Sequence, residues 1–201
     1  MSAGIVCGCT IEAAEQMTDE ELIGRVRSGE TGLFGELVRR YQDTVFAMSQ
    51  RLLGSPQDAE DVAQEAFLRV HRGLEGFRGN AKFSTWLYRI TCNLCTDWLR
   101  KNRRPGRATM ALDETAELVD AGVQPEQGLL EAEELERLGH ALAGLRERYR
   151  SLVVLHYYQG LPCQQISEIR GMPLKTVETR LYRARRMLRE SLEKGGQGAM
   201  R

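Results

Sequence analysis

Apolar residues along this chain recur at spacings of three and four, the repeat that places them on one face of an α-helix. No segment alternates apolar and polar residues as a half-buried strand does. The pattern predicts helices over residues 19–28, 31–53, 56–74, 83–103, 130–143, 146–159, 164–170 and 174–192. We therefore expect an all-α protein.

Turn-forming residues separate these helices and divide the chain into two domains. The predicted breaks are Gly54-Ser55-Pro56, Gly76 through Asn80, Gly160-Leu161-Pro162 and Gly171-Met172-Pro173. Residues 105–129 combine prolines, glycines and acidic residues with few large apolar ones, which is typical of an exposed, flexible acidic linker. The expected domains are residues 18–104 and 130–193, with disordered or flexible termini at 1–17 and 194–201.

Charge is balanced in total but not along the chain. The formal net charge is zero, yet Lys and Arg dominate residues 69–107 and 170–190, whereas residues 113–136 contain acidic residues and no Lys or Arg. Two cationic blocks favour nucleic acid as a partner. The sequence has no apolar run of membrane-spanning length and no export signal at its start, so we expect a cytoplasmic protein without membrane insertion.

The last quarter of the sequence has the pattern of a helix-turn-helix motif. A short helix over residues 164–170 is separated from a longer one by Gly171, which permits a tight turn. The predicted inward stripe of the longer helix is Leu174, Val177, Leu181, Ala184 and Leu188. The opposite side carries Arg, Lys and Thr, which read guanine or hold phosphate in a major groove. A solvated basic helix is the alternative interpretation.

An acidic stripe lies on the helix predicted over residues 56–74. Asp58, Asp61 and Glu65 share one face, separate from the apolar residues of that helix. Like charges at this spacing repel by about 0.2–0.5 kcal/mol per pair, and nothing local in the sequence offsets the repulsion, whereas a cationic partner does. A solvated helix face explains the stripe equally well, so both interpretations stay open.

Aromatic residues are interleaved with cations and amides over residues 77–104. This composition suits single-stranded DNA, because unstacked bases lie on aromatic faces and Arg or Lys meets their phosphates. The loop from Arg78 to Lys82 is a candidate for holding one extruded base through the amide edge of Asn80. The residues Phe83, Trp86, Leu87, Ile90 and Leu94 also fit an inward stripe, and we expect Trp86 in the core rather than as a stacking platform.

Three motifs follow one another along the chain. They are DAEDVAQEAFLRV from Asp58, FSTWLYRITCNLCTDWLRK from Phe83 and GMPLKTVETRLYRARRMLRE from Gly171. Each motif is moderately specific, and their joint order and spacing are highly so. Together they resemble the extracytoplasmic-function (ECF) sigma factors of the bacterial sigma-70 family. Residues 22–104 look like the second conserved region of that family and residues 138–189 like the fourth.

The resemblance implies a transcription initiation factor that is not an enzyme and uses no cofactor. Its implied partners are core RNA polymerase, through the β′ coiled coil and the β flap, and promoter DNA, both duplex and single-stranded. An anti-sigma factor is a further partner that the resemblance allows. The residues implied in binding the β′ coiled coil are Asp58, Asp61, Gln64 and Glu65. Those implied in recognising and melting the minus-ten element are Arg78, Asn80, Lys82, Phe83, Arg89 and Asn93. Those implied in reading the minus-thirty-five element are Lys175, Thr176, Thr179, Arg180 and Arg183.

Three positions depart from the family pattern. Many members have Gly where this chain has Lys175 and a basic residue where it has Glu178, so the minus-thirty-five preference cannot be transferred from relatives. Pro162 stands where a Ser cap is frequent, and the first turn of a helix tolerates Pro. The predicted fold is unaffected by these differences.

The cysteines leave two interpretations open. Cys92 and Cys95 form a Cys-x-x-Cys pattern, Cys7 and Cys9 add two thiols, and Cys163 stands alone. A redox or metal role and ordinary small helix residues are both compatible with this arrangement. No matching Cys or His pair follows at zinc-finger distance, so no metal site is predicted.

Other functional classes explain less of the sequence. No nucleophile motif, phosphate loop or paired-carboxylate pocket is recognisable, which is evidence against an enzyme. A dimeric helix-turn-helix repressor or activator explains residues 164–192 but leaves the acidic stripe and the helix at 83–103 without a function. A helical adaptor that binds only protein partners needs neither cationic block.

Overall fold

The computed structural model describes residue 14 and residues 16–102 and 125–198, with side chains from 135 to 194 in the last range. Every regular element in these ranges is a helix, which confirms the predicted all-α class. None of the described helices has the length and apolar character required to cross a membrane.

The described N-terminal module is built from α-helices joined by short turns. They are α1 (Asp19–Arg27), α2 (Phe34–Leu53), α3 (Pro56–Gly73) and α4 (Phe83–Asn102). Single 3₁₀ turns, Thr31–Leu33 and Leu74–Gly76, precede α2 and follow α3. Helices α2 and α3 pack along each other, and α4 packs against both, so the loop before α4 lies at one end of this bundle.

Local sequence fixes where α3 begins. Gly54 ends α2 in the left-handed conformation with φ of 81°, which glycine adopts without steric cost. The Ser55 hydroxyl accepts a hydrogen bond from the backbone N–H of Asp58 at 3.3 Å, and Pro56 occupies the first turn. Such a cap contributes about 1 kcal/mol to helix stability. Because the start of α3 is fixed by these residues, the direction in which its acidic stripe faces is fixed at the first turn of the helix.

The core of the N-terminal module is formed by the apolar stripes of α2, α3 and α4. Leu37 and Met48 of α2, Val70 of α3 and Leu87 of α4 are fully buried. These residues belong to stripes with helical spacing, which is why the polar residues between them face outward.

The described C-terminal module consists of α5 (Pro125–Gly144), α6 (Glu147–Val153), α7 (Cys163–Arg170) and α8 (Leu174–Gly198). Helix α6 continues into a π-helical turn, Val154–Tyr158, within the segment predicted as one helix. Helices α7 and α8 form the predicted helix-turn-helix. Gly171 joins them in the left-handed conformation with φ of 60°.

Two further features fix the turn between α7 and α8. The Ser167 hydroxyl donates to the backbone carbonyl of Met172 at 2.6 Å. On α8, three residues of the predicted inward stripe are buried, namely Val177, Leu181 and Ala184. The second helix of the motif is therefore anchored on one side and presents its other side to solvent.

Two helical bounds and one buried residue differ from the prediction. Helix α5 begins at Pro125, inside the segment predicted as linker, and α8 continues to Gly198, inside the predicted disordered tail. Ala14 belongs to the terminus predicted as flexible, yet it is buried, and its carbonyl accepts a hydrogen bond from Arg40 at 2.9 Å. Residues 1–13, 15, 105–124 and 199–201 of these segments lie outside the described residues.

The two modules pack against each other. Helix α4 contacts α7, and α2 contacts α5 and α6. Arg150 of α6 donates to the backbone carbonyl of Leu52 at 2.8 Å, and within its own module to the carbonyls of Ala143 and Leu145. The buried apolar residues of both modules form one continuous cluster.

Candidate functional site

The acidic stripe of α3 lies on the protein surface. Asp61 and Gln64 are exposed, while Asp58 and Glu65 are partly exposed. The Gln64 amide donates to the carboxylate of Glu60 at 3.4 Å. The helical spacing places the four predicted residues within one third of the helix circumference, so a single partner surface can contact all of them.

Glu65 has a local partner, which corrects the expectation that nothing nearby offsets the acidic stripe. Its carboxylate accepts a hydrogen bond from Arg69 Nε at 2.7 Å, one helical turn away. This hydrogen bond lowers the pKa of Glu65. Leu68, which is 51% exposed and is not among the predicted binding residues, lies on the same face three residues after Glu65. The face therefore combines negative charge at Asp58 and Asp61 with an accessible apolar side chain.

A pocket of about 260 Å³ lies where the loop after α3 meets the start of α4. Gly79 turns the loop with φ of 71°, and Arg78, Asn80 and Lys82 are exposed around it. The pocket is lined by Gly76, Phe77, Arg78, Asn80, Ala81, Thr85, Trp86, Arg89 and Glu168. Amide and guanidinium donors beside an aromatic face are the groups to which unstacked bases bind.

Aromatic side chains form the floor of this pocket. Trp86 lies against Phe77, with ring centroids 4.9 Å apart and 30° between the ring planes. A Cβ atom at Gly73 would approach the Trp86 indole to 3.2 Å, so glycine leaves room for the ring. The prediction of a core role for Trp86 missed that this residue is partly exposed and also lines the pocket.

Phe83 does not reach the surface. It is 1% exposed, and it makes edge contacts with Tyr41 at 5.4 Å and with Trp86 at 6.1 Å between ring centroids. The Phe83 side chain is therefore inaccessible to DNA in this structure, and its predicted contact with the minus-ten element stays a prediction. Its side chain supports Trp86 from the core, because α4 turns its first residue toward the bundle interior.

Arg89 and Asn93 extend from the pocket along the outer side of α4. Both are exposed, and their spacing of four residues places them on one face. The Arg89 guanidinium donates to the backbone carbonyl of Glu168 in α7. One of the predicted minus-ten contacts is therefore engaged by the C-terminal module.

The outward side of α8 presents the residues predicted to read DNA. The Thr179 hydroxyl donates to the Lys175 carbonyl at 2.7 Å, and Arg180 donates to the sulfur of Met172 at 3.6 Å. The exposed residues are Lys175, Thr179 and Arg183, and the partly exposed ones are Thr176 and Arg180. The helix therefore carries a cationic face opposite its buried stripe.

Two residues of α8 differ from the sequence expectation. Leu174, predicted to point inward, is 38% exposed, because it is the first residue of the helix and precedes the first buried position, Val177. Tyr182 is 63% exposed on the same side as Thr179 and Arg186. An exposed aromatic ring among cations suits contact with nucleic acid, and Tyr182 is not among the predicted DNA-binding residues.

The described cysteines lie in or near the core. Cys92 and Cys95 of α4 are buried, and Cys163 is partly buried. Burial raises the pKa of Cys92 to about 11 and that of Cys95 to about 12, which favours unreactive thiols at neutral pH. Within the described part of the chain, no group of three His, Cys, Asp or Glu residues could hold a metal ion. Cys7 and Cys9 lie outside the described residues.

Two family models match the chain, one in each module. The model of sigma-70 region 2 matches residues 37–105. The model of sigma-70 region 4 matches residues 135–188. The two matched ranges contain every residue for which a binding role was predicted.

Relatives cover nearly the whole chain. It is 35% identical over 184 residues to the ECF RNA polymerase sigma factor SigW of Bacillus subtilis. The aligned region covers 88% of this chain and 98% of the relative. The chain is 37% identical over 188 residues to the ECF RNA polymerase sigma-E factor of Haemophilus influenzae, covering 90% of this chain and 98% of the relative.

Solved structures share the arrangement of helices. CnrH in complex with the cytosolic domain of CnrY matches with a TM-score of 0.65 at 27% identity, over 88% of this chain and 97% of that chain. The sigma factor RpoE in complex with the anti-sigma factor NepR, from Bartonella quintana, matches with a TM-score of 0.66 at 20% identity, over 80% and 96% of the two chains. The second similarity concerns the fold alone.

Proposed function

The chain belongs to the ECF sigma factors, which direct RNA polymerase to promoters, and from this premise we propose how its surfaces carry out that function. The acidic face of α3 binds the β′ coiled coil of the core enzyme. The pocket before α4 holds a base of the melted minus-ten element. The outward face of α8 reads the minus-thirty-five element. The factor works in the cytoplasm as a regulatory subunit without a catalytic reaction of its own.

The observation that carries this proposal is the pocket at the start of α4. It places the amide of Asn80, the guanidinium of Arg89 and the ring of Trp86 around one cavity of about 260 Å³. An extruded base requires an aromatic face for stacking and polar groups for its hydrogen-bonding edge, and its phosphate requires a cation. Duplex-binding repressors have no need of such a pocket, because they read bases that remain paired.

Melting follows from the same geometry. A base that leaves the duplex loses stacking and pairing worth a few kcal/mol, and the pocket offsets this loss by stacking on Trp86. Arg78 lines the pocket, and the exposed residues Lys82 and Asn93 extend the polar surface along α4. Only the single-stranded form places a base in the pocket, so binding there stabilises the open promoter.

The helix-turn-helix supports the minus-thirty-five assignment. Helix α8 is anchored by its buried stripe and exposes Lys175, Thr179 and Arg183 on the opposite face. Arg reads guanine through two hydrogen bonds in the major groove, and Lys or Thr contacts phosphate. The rest of the C-terminal module is proposed to lie on the β flap.

Core binding is assigned to α3 because its acidic face is accessible and because this helix leads into the loop that lines the pocket. Asp61 is exposed, and Leu68 adds apolar contact surface on the same side. A cationic coiled coil complements this face and relieves the repulsion between its carboxylates. Binding of α3 to the core polymerase thereby places the loop after α3, which is proposed to hold the melted base, on the enzyme that transcribes the melted DNA.

Run-off transcription with purified core polymerase tests the proposed function. The factor is expected to produce a transcript with one defined start, whereas the core enzyme alone or a simple repressor gives none. Asn80→Ala is expected to reduce this transcript. Asp43→Ala, an exposed change on α2 outside the proposed surfaces, serves as the matched control. Absence of a defined start with the wild-type factor refutes the proposal.

A further inference from the structure

Four aromatic side chains form a cluster beneath the proposed minus-ten pocket. Phe83 is buried at its centre. From the Phe83 ring centroid, those of Tyr41, Phe77 and Trp86 lie 5.4, 6.2 and 6.1 Å away, each in an edge contact. Phe77 and Trp86 line the pocket, whereas Tyr41 does not. We refer to Tyr41, Phe77, Phe83 and Trp86 as the aromatic cluster.

Helix α1 binds the cluster at its Tyr41 end. The Tyr41 hydroxyl donates to the carboxylate of Asp19, the first residue of α1, at 2.5 Å. Burial raises the pKa of Tyr41, and the hydrogen bond with Asp19 raises it further, so the hydroxyl keeps its proton at neutral pH. Arg40 donates to the other oxygen of the same carboxylate at 3.1 Å. Both oxygens of Asp19 are therefore engaged by α2, which fixes the carboxylate that orients Tyr41.

The other end of α1 contacts the loop that carries Phe77. Arg27, the last residue of α1, donates to the backbone carbonyl of Phe77 at 3.4 Å. Helix α1 also contacts the 3₁₀ turn Leu74–Gly76, which leads into this loop. The helix therefore bonds to the aromatic cluster at both of its ends.

These polar contacts are not required for packing of α1. Leu22, Ile23 and Val26 are buried, and burial of such an apolar stripe is sufficient to attach an amphipathic helix to a bundle. None of the surfaces proposed to bind DNA or polymerase includes a residue of α1. The helix also lies outside residues 37–105, which the region 2 model matches.

We propose that α1 positions the stacking surface of the minus-ten pocket, with Asp19 as a positioning residue that acts through Tyr41 and Phe83 on Trp86. The inference rests on the proposed function of the pocket. Close-packed side chains transmit displacements to their neighbours, so a Tyr41 ring released from Asp19 loosens Phe83 and the indole that packs on it.

Preorganisation gives this positioning its effect on binding. A base stacks on Trp86 without a further ordering cost only if the indole is already held in place. Release of Tyr41 therefore weakens binding of the minus-ten strand. Binding of duplex minus-thirty-five DNA to α8 stays unchanged, because α8 has no part in the cluster.

Four variants isolate the hydrogen bond from charge and from stability. Asp19→Ala removes the acceptor, whereas Asp19→Asn removes the same charge but keeps an oxygen that accepts from Tyr41. Glu20→Ala is the matched control, because it removes an exposed carboxylate from the same first turn of α1. Tyr41→Phe keeps the ring, removes only the hydroxyl, and covers the case in which Asp19→Ala does not fold.

Fluorescence anisotropy of a labelled minus-ten strand with the complex of factor and core polymerase is the first readout. Asp19→Ala and Tyr41→Phe are expected to bind the strand about 2- to 12-fold more weakly, the factor that one hydrogen bond contributes. Asp19→Asn and Glu20→Ala are expected to bind like the wild type. Loss of a negative charge alone favours binding of a polyanion, so the predicted weakening at Asp19 has the opposite sign to a charge effect.

Fluorescence of Trp86 is the second readout. The chain has two tryptophans, so Trp86 is the only one in a Trp98→Phe background. Quenching by acrylamide, a neutral quencher, is expected to increase when Asp19→Ala or Tyr41→Phe is added to this background. Asp19→Asn and Glu20→Ala are expected to leave it unchanged.

The outcomes separate the positioning role from the proposed function. If Trp86→Ala weakens strand binding but Tyr41→Phe does not, the positioning role is refuted alone. It is also refuted if Asp19→Asn or Glu20→Ala loses as much affinity as Asp19→Ala, or if affinity falls without a change in Trp86 quenching. If Trp86→Ala binds the strand as tightly as the wild type, the proposed function of the pocket fails, and the positioning role fails with it.

Discussion

Replacing Trp86 with Ala removes the indole that lines the proposed minus-ten pocket and leaves Phe77 and the polar loop in place. The indole lies 4.9 Å from the Phe77 ring between centroids, and it lines the cavity. Stacking of one base on an aromatic side chain contributes about 1–3 kcal/mol, so we expect the minus-ten strand to bind about 5- to 150-fold more weakly. Trp86→Phe keeps a smaller ring and is expected to retain part of the affinity.

The substitution also affects stability, because Trp86 packs on the buried ring of Phe83. Trp98→Ala separates the two effects. Trp98 lies on the same helix and is partly buried against the same core, but it does not line the pocket. Both variants are expected to lower the melting temperature, and only Trp86→Ala is expected to weaken strand binding.

Fluorescence anisotropy with a labelled non-template strand, measured on the complex of factor and core polymerase, gives the affinity. Thermal unfolding followed by circular dichroism gives the stability. Wild-type affinity in Trp86→Ala refutes the stacking role. Equal losses of affinity in the Trp86 and Trp98 variants refute it as well, because they assign the effect to stability.

Three further predictions concern the other surfaces and the core. Asp61→Lys is expected to weaken core-polymerase binding about tenfold or more, because like charges that face each other in an interface cost several kcal/mol. The exposed change Glu20→Lys is the control and is expected to leave this binding unaltered. Surface plasmon resonance measures both affinities. Arg183→Ala is expected to cost about 1–3 kcal/mol in gel-shift binding of duplex minus-thirty-five DNA, and Arg148→Ala on α6 is expected to cost nothing comparable. Burial raises the pKa of Cys92 to about 11 from an ordinary value near 9, so the free energy of unfolding is expected to fall as pH rises between these values, by at most about 1.4 kcal/mol per unit from this thiol. Urea titrations at several alkaline pH values check this decline, which is expected to be shallower in Cys92→Ala.

Each of these predictions has a contradicting result. Wild-type affinity in Asp61→Lys refutes the docking role of α3. Unchanged DNA binding in Arg183→Ala refutes base reading at that position. An identical pH dependence with and without the Cys92 thiol refutes its protonated, buried state.

Elements whose causes are local were predictable from the sequence. Gly54, Ser55 and Pro56 end one helix and begin the next through backbone conformation, a hydroxyl cap and a fixed φ angle, all within three residues. Gly171 defines the helix-turn-helix in the same way. The exposure of Asp61 and Arg183 followed from helical periodicity alone.

Features that depend on packing between distant segments were not predictable. Phe83 and Trp86 belong to one apolar stripe, and only the position of the loop after α3 decides that Phe83 is buried while Trp86 lines a pocket. Thr96 and Arg170 are 74 residues apart in sequence, so no local sequence pattern predicts their contact. Glu36 is a charged residue buried in α2. Burial raises the pKa of its carboxyl, but the hydrogen bonds and charges of the neighbouring arginines together outweigh burial and lower this pKa.

Sequencing of transcript 5′ ends, made in vitro from genomic DNA by core polymerase with and without the factor, tests the central claim most directly. We expect defined start sites that appear only with the factor and share two sequence motifs, one near position minus ten and one near minus thirty-five. A set of 5′ ends identical to that of the core enzyme alone would contradict the assignment of this chain's surfaces to promoter recognition.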